Sequence, residues 1–146
     1  MTMRQAEAIW EGDLRQGRGR VRLPSSGHEA AYSYSSRFDD GAGTDPEELL
    51  GAAHAGCFSM SLAGGVAKRG FTAERIATTA QVNAERIEGR FTITSIHLDT
   101  SAVIPGLSEA QFSEAAEEAK ATCPISRALS GIPITLQAKL ERASSG

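Results

Sequence analysis

An α+β fold with an antiparallel sheet is the class this sequence predicts, and three observations predict it. Short alternating runs suited to strands cluster before residue 38 and again between residues 73 and 103. Between them, the stretch from Leu49 to Ala67 carries no Lys, Arg, Asp or Glu and reads as a helix apolar on every side. The order is then three strands, a helix, two strands, two helices and a strand, which is not the alternation of a doubly wound sheet.

Residues 5–11 and 18–23 read as strands around Gly- and Asp-containing turns. Ala30 to Phe38 alternates well enough for a third, and the loop Asp39-Asp40-Gly41-Ala42-Gly43 breaks it. Asp45 is a good N-cap, Pro46 suits the first helical position, and Glu47 and Glu48 complement the positive end of the helix dipole. This helix is expected to run to about Lys68, with Gly70 ending it. Residues 73–87 and 90–103 form two long strands about the turn Glu88-Gly89, with Ile76, Thr78, Ala80 and Val82 on one face. Ser108 and Gln111 make a capping box for a helix with Phe112, Ala115, Ala116 and Ala119 on its apolar side. A short helix is expected from Pro124 to Gly131, and Ile132 to Leu140 alternates as the last strand.

The 146 residues fit one domain, 1–146, with Ala143 to Gly146 as a loose tail. Fifteen basic against eighteen acidic side chains give a net charge of −3, which carries no nucleic-acid footprint. Forty per cent hydrophobic and 23 per cent charged residues are ordinary values for a folded chain, not a disordered one. The N-terminus, Met1 to Trp10, has no apolar run of the signal-peptide kind, so a cytoplasmic location is expected. Leu49 to Ala67 approaches the length that spans a bilayer, but four glycines, two serines and His54 favour a core helix at the centre of the protein over a membrane span.

The two cysteines are Cys57, in the glycine-rich helix, and Cys123, before Pro124. A buried cysteine is by default a small hydrophobe. A stable disulfide is disfavoured in a reducing compartment. His54 and Cys57 share a helix face, and Cys123 is a third donor for a metal such as zinc, yet three ligands are too few for a closed structural site. Redox chemistry is the sharper alternative. Cys123 precedes a proline suited to the first helical position, so it caps a helix whose dipole favours thiolate, and Cys57 is flanked by small residues that admit close approach.

The string Thr44-Asp45-Pro46-Glu47-Glu48-Leu49-Leu50-Gly51-Ala52-Ala53-His54-Ala55-Gly56-Cys57-Phe58-Ser59-Met60 resembles the first cysteine motif of the OsmC family of organic hydroperoxide reductases. Ala121-Thr122-Cys123-Pro124-Ile125-Ser126 resembles its second motif, and Trp10-Glu11-Gly12-Asp13, Arg37-Phe38 and Val103-Ile104-Pro105-Gly106 extend the likeness over nearly the whole chain. It looks closer to the OsmC branch than to the Ohr branch, which usually has Tyr where this chain has His54. The resemblance implies a thiol peroxidase on an intertwined homodimer, with antiparallel sheets wrapped around central helices. It implies no metal and no cofactor, an organic hydroperoxide substrate, and an external dithiol or lipoyl-protein reductant.

Carried over by motif position, Cys57 is the peroxidatic cysteine, Cys123 resolves its sulfenic acid, Arg37 favours the thiolate, and Glu47 fixes Arg37 by a bidentate pair. Phe58, Met60 and His54 are candidate lining residues for a substrate pocket. Phe58 and Met60 suit a core equally well, and His54 suits either a bond to Cys57 or a packed, satisfied role. Two other readings stand beside this one. The first is a non-catalytic, stress-related binding protein with idle cysteines, and the second is a metal-binding protein using His54, Cys57 and Cys123.

Two expectations follow about assembly. A single domain of this size leaves part of so apolar a helix uncovered, which predicts an obligate homodimer. Glu47 and Cys57 are also separated by about 15 Å of rise on a straight helix. Either the helix bends near Gly51, or Arg37 and Glu47 serve the cysteine of the partner subunit.

Overall fold

The alternation between residues 7 and 32 produces three short strands, β1 (Glu7–Glu11), β2 (Arg18–Leu23) and β3 (His28–Tyr32). They pair antiparallel in that order. The computed structural model describes residues 1–142; the tail expected at Ala143 to Gly146 lies outside the described residues. The chain divides into two compact units, Met1–Leu49 and Leu50–Gly146.

In the first unit Gly19 of β2 stands opposite both Trp10 of β1 and Tyr32 of β3, and the two rings meet across it with centroids 5.4 Å apart. A Cβ at Gly19 would lie 2.5 Å from the Tyr32 ring and 2.6 Å from the Trp10 ring, so only glycine leaves room for that pair.

The third strand ends earlier than the alternation through Phe38 suggested. Ser33 leaves the sheet and caps a short helix, α1 (Tyr34–Phe38), through a capping box with Ser36. Tyr34 and Phe38 then stack one turn apart, with centroids 4.7 Å apart. A local side-chain bond to backbone, together with an aromatic contact, outcompetes the ladder there. The Ser36 hydroxyl also donates to the Thr44 carbonyl, and the Thr44 N–H donates to the Ala31 carbonyl, which pins the following loop against β3.

The long helix, α2 (Pro46–Lys68), is capped by Asp45, whose carboxylate accepts from the Glu48 N–H at 2.8 Å. It closes in a Schellman pattern: Gly70 takes φ +89°, its N–H bonds the Ala67 carbonyl, and the Phe71 N–H bonds the Val66 carbonyl.

In the second unit β4 (Arg75–Ile87) and β5 (Arg90–Val103) form a long antiparallel hairpin. Its turn places Glu88 and Gly89 at positive φ, the signature of a tight hairpin turn. Next come α3 (Glu109–Thr122), with the expected Ser108–Gln111 capping box, and α4 (Pro124–Ala128). The latter stops before the expected Gly131: after the Leu129 N–H bonds the Ile125 carbonyl, the Ser130 and Ile132 N–H groups bond the carbonyls of Arg127 and Leu129, three residues back, so the chain tightens into turns.

The last strand, β6 (Ile134–Glu141), pairs parallel to β5, so this sheet is mixed rather than wholly antiparallel. Parallel neighbours need a long crossover, and α3 and α4 supply it.

The core of this unit joins Phe58, Leu62 and Val66 of α2 to Ile96, Leu98 and Ala102 of β5, with Phe112, Ala115, Ala116 and Ala119 of α3 and Leu140 of β6. Gly51, His54, Phe58, Leu62 and Val66 form a single buried stripe on α2. The rest of the helix is far less covered than a central core helix would be. In its most apolar 18-residue window only 28% is buried, and Ala52, Gly56, Met60, Ala63 and Gly64 are exposed.

Candidate active site

Two clusters of the residues singled out by sequence form, one in each unit. In the first, α1 carries Arg37 on its last turn and the start of α2 carries Glu47. Arg37 Nε donates to both carboxylate oxygens at 3.1 and 3.2 Å, and Nη2 donates to Oε1 at 2.7 Å. Glu47 is 9% exposed, so this pair is far from a loose surface contact. Thr44 supports the same turn by donating its hydroxyl to Glu48 at 2.7 Å.

The second cluster holds both cysteines. Cys57 lies on α2, half-buried, while Cys123 is fully buried at the junction where α3 ends and α4 begins. Both are free thiols, and their sulfurs are 2.9 Å apart in hydrogen-bond contact. A disulfide needs about 2.05 Å, so bond formation requires less than about 1 Å of approach. Pro124 at the first position of α4 fixes the turn that presents Cys123.

The two thiols have opposite tendencies. Burial, followed by the Cys123 thiol, pushes the Cys57 thiol up, against smaller opposing contributions from the Ile125 N–H and the Ser61 hydroxyl. Burial would also raise Cys123, but the Cys57 thiol, the N–H and hydroxyl of Ser126 and the Ile125 N–H outweigh it and hold Cys123 below its usual value. Those amides make no regular cap bond to the Cys123 sulfur, yet they lie close enough to favour its thiolate.

Of the other candidates, Phe58 is wholly buried in the core, and Met60, at 78% exposure, points away from it. His54 does not turn to Cys57. Its Nε2 lies 2.8 Å from Ser126 Oγ, and its Nδ1 is buried with no hydrogen-bond partner among the described residues. Burial holds its imidazole below the ordinary histidine value, in the neutral form. Sequence reasoning missed Ser126 as a site residue, although it stands in the second cysteine motif three positions after Cys123. As for the metal reading on His54, Cys57 and Cys123, no group of three or more His, Cys, Asp or Glu side chains among the described residues is placed to hold an ion.

A cysteine pair in contact, one sulfur accessible and the other buried, is an arrangement suited to reversible thiol–disulfide chemistry. Comparison with known proteins agrees with the fold and with a peroxidase role. Residues 39–137 match the family model described as OsmC-like protein. The chain is 40% identical over 139 residues to Peroxiredoxin OsmC of Escherichia coli K12, covering 94% of this chain and 96% of the relative. Among solved structures, an OsmC-like protein from Mycoplasma pneumoniae superposes with a TM-score of 0.75 at 15% identity, covering 95% of this chain and 97% of that one. The organic hydroperoxide resistance protein OhrB of Bacillus subtilis gives a TM-score of 0.67 at 20% identity, with 94% and 98% covered.

Proposed function

The chain belongs to the OsmC-like protein family and is a peroxidase oxidoreductase, and from that premise we propose that it reduces organic hydroperoxides to alcohols with Cys57 and Cys123. The observation that carries this reading is the half-buried Cys57 with its sulfur 2.9 Å from that of buried Cys123. The Cys57 thiolate attacks the distal peroxide oxygen, the O–O bond breaks, and the alkoxide leaves to be protonated. Cys57 is then a sulfenic acid. The Cys123 sulfur attacks it, the S–O bond breaks, and water leaves as the disulfide forms. An external dithiol, for which a dihydrolipoyl group is suitable, exchanges with the disulfide and restores both thiols. The protein works in the cytoplasm as one domain, with no metal and no cofactor.

The first step requires thiolate at Cys57, whereas burial and the Cys123 thiol push that group up. A cation at this sulfur reverses the balance, and Arg37, oriented by Glu47, is the cation assigned to it. Because α2 is one helix from Pro46 to Lys68, the arginine is assigned to the Cys57 of a partner subunit. The supporting observation for a homodimer is the exposed face of small and apolar residues on α2 at Ala52, Gly56, Met60, Ala63 and Gly64.

The test is consumption of tert-butyl or cumene hydroperoxide by the purified protein with dihydrolipoamide as reductant. Turnover is expected, with water, alcohol and oxidised lipoamide as products. Absence of consumption by fully reduced protein overturns the reading.

A further inference from the structure

The mechanism above leaves one buried titratable side chain without a task. His54 is wholly buried, one turn before Cys57 on α2, and the one hydrogen bond of its side chain among the described residues crosses to α4. That bond ends on Ser126, itself 5% exposed and three positions after Cys123 in the first turn of α4, close enough for its hydroxyl to favour the Cys123 thiolate. We infer that His54 is a positioning residue for the resolving step: its Nε2–H donates to Ser126 Oγ, and this turns the single hydroxyl proton of Ser126 onto the sulfur of Cys123. The inference rests on the reading of Cys123 as the resolving thiol.

The direction of this chain of bonds follows from the unpartnered Nδ1. An imidazole with its proton on Nδ1 would bury an N–H with no acceptor among the described residues, an arrangement that folded proteins rarely tolerate. Placing the proton on Nε2 leaves a bare lone pair at Nδ1 and gives the proton an acceptor 2.8 Å away. Burial keeps the ring neutral, so it acts as a fixed donor and takes up no proton itself. Ser126 has one proton to give. With its oxygen already accepting from His54, that proton is free to face Cys123, where it favours thiolate over thiol.

The consequence is confined to the second half of the cycle. Cys123 thiolate attacks the sulfur of the Cys57 sulfenic acid, the new S–S bond forms with its electron pair, and the S–O pair leaves as hydroxide. Hydroxide takes up the proton that Cys123 released on ionising, and the sum is thiol plus sulfenic acid giving disulfide plus water. Among the described residues, Cys57 and His54 of α2 contact this cluster, and Lys120 of α3 and Arg127 of α4 line the surface recess beside Ser126.

Three measurements on the full chain test the inference. In the Cys57→Ser background, the pH dependence of the ultraviolet thiolate absorbance reads the buried Cys123 thiol without requiring a reagent to reach it. His54→Phe is expected to raise its pKa by about one unit, a tenfold loss of thiolate near neutral pH. In protein with both cysteines, one equivalent of tert-butyl hydroperoxide followed by dimedone quenching times the sulfenic acid. Its lifetime is expected to lengthen about tenfold in His54→Phe and equally in Ser126→Ala, with no further change when the two are combined. His54→Gln, which retains an amide donor, is expected to restore most of the wild-type rate.

Nitrogen-15 spectra of the wild type are expected to show the Nε2–H tautomer and remain decisive even if a His54 variant fails to fold. An Nδ1–H tautomer, or an unchanged Cys123 pKa and sulfenic acid lifetime in both variants, overturns the relay. Loss of fewer than two thiols per peroxide in the wild type would instead overturn the two-cysteine reading itself.

Discussion

Arg37 holds Glu47 in a forked contact of three hydrogen bonds between 2.7 and 3.2 Å, joining the end of α1 to the first turn of α2. A guanidinium fixed in this way has lost its freedom to follow a charge, and so it is set in advance for one. Preorganised donors of this kind carry a large share of a rate enhancement. Arg37→Ala is expected to lower kcat/KM for tert-butyl hydroperoxide by roughly two to three orders of magnitude. Arg37→Lys is expected to recover little, since an ammonium cannot make the fork. Near-wild-type activity in Arg37→Lys would show that charge alone suffices.

Cys57 is half-buried and Cys123 fully buried, with their sulfurs 2.9 Å apart, and the proposed division of labour between them predicts different outcomes for the two serine variants. Cys57→Ser is expected to abolish peroxide reduction, because an alcohol does not replace a thiolate. Cys123→Ser is expected to consume about one equivalent of peroxide and stop as sulfenic acid, open to overoxidation. Thiol counts and intact mass after stoichiometric hydroperoxide check both outcomes. Continued turnover by Cys57→Ser would reverse the assignment.

What could be read ahead of the structure had local causes. The Asp45 cap, the Gly70 stop, the Glu88-Gly89 turn and the Ser108–Gln111 box are each decided by a few adjacent residues, and all are where the sequence places them. The alternation from Ala30 to Phe38 hid α1 because the deciding signal, Ser33 bonded to Ser36, competes with a strand pattern over the same residues. The parallel pairing of β6 was illegible for a different reason: alternation reports a half-buried strand and says nothing about the direction of its neighbour. Within the site, motif resemblance singled out Cys57, Cys123, Arg37 and Glu47. The bond from His54 to Ser126 spans 72 positions and depends on how α4 sits against α2, which no local pattern encodes.

The same buried histidine predicts a pH dependence of stability. Burial lowers the His54 pKa in the folded protein from its ordinary 6.5, whereas the unfolded chain keeps the ordinary value. Below about 6.5 the unfolded state therefore binds the extra proton and the folded state does not, so stability falls as the pH drops through that window. His54→Gln removes the titrating group, and its denaturation midpoint is expected to fall less than that of the wild type between pH 7.5 and pH 5.5. Equal losses in the two proteins would show that His54 takes up its proton in the fold as readily as in the unfolded chain.

The last prediction concerns which chain supplies which half of the site. Glu47 and Cys57 both belong to α2, which runs without interruption from Pro46 to Lys68, and ten residues of helix rise by about 15 Å. A forked arginine–carboxylate pair reaches only a few ångströms beyond its own turn, so a continuous helix separates Glu47 from the sulfur of its own chain. Two copies of α2 crossing through their exposed small-residue faces would remove that separation without bending either helix. Each site would then take Cys57 and Cys123 from one protomer and the Arg37–Glu47 pair from its partner. Co-folding a Cys57→Ser chain with an Arg37→Ala chain, each inactive as a homodimer, tests the arrangement. In the mixed dimer one site has both wild-type contributions and the other has both defects, so about half the activity of a wild-type dimer is expected to return. If the purified mixed dimer is as inactive as its parents, all four residues act within one chain, and a stable monomer in light scattering would remove the shared site altogether.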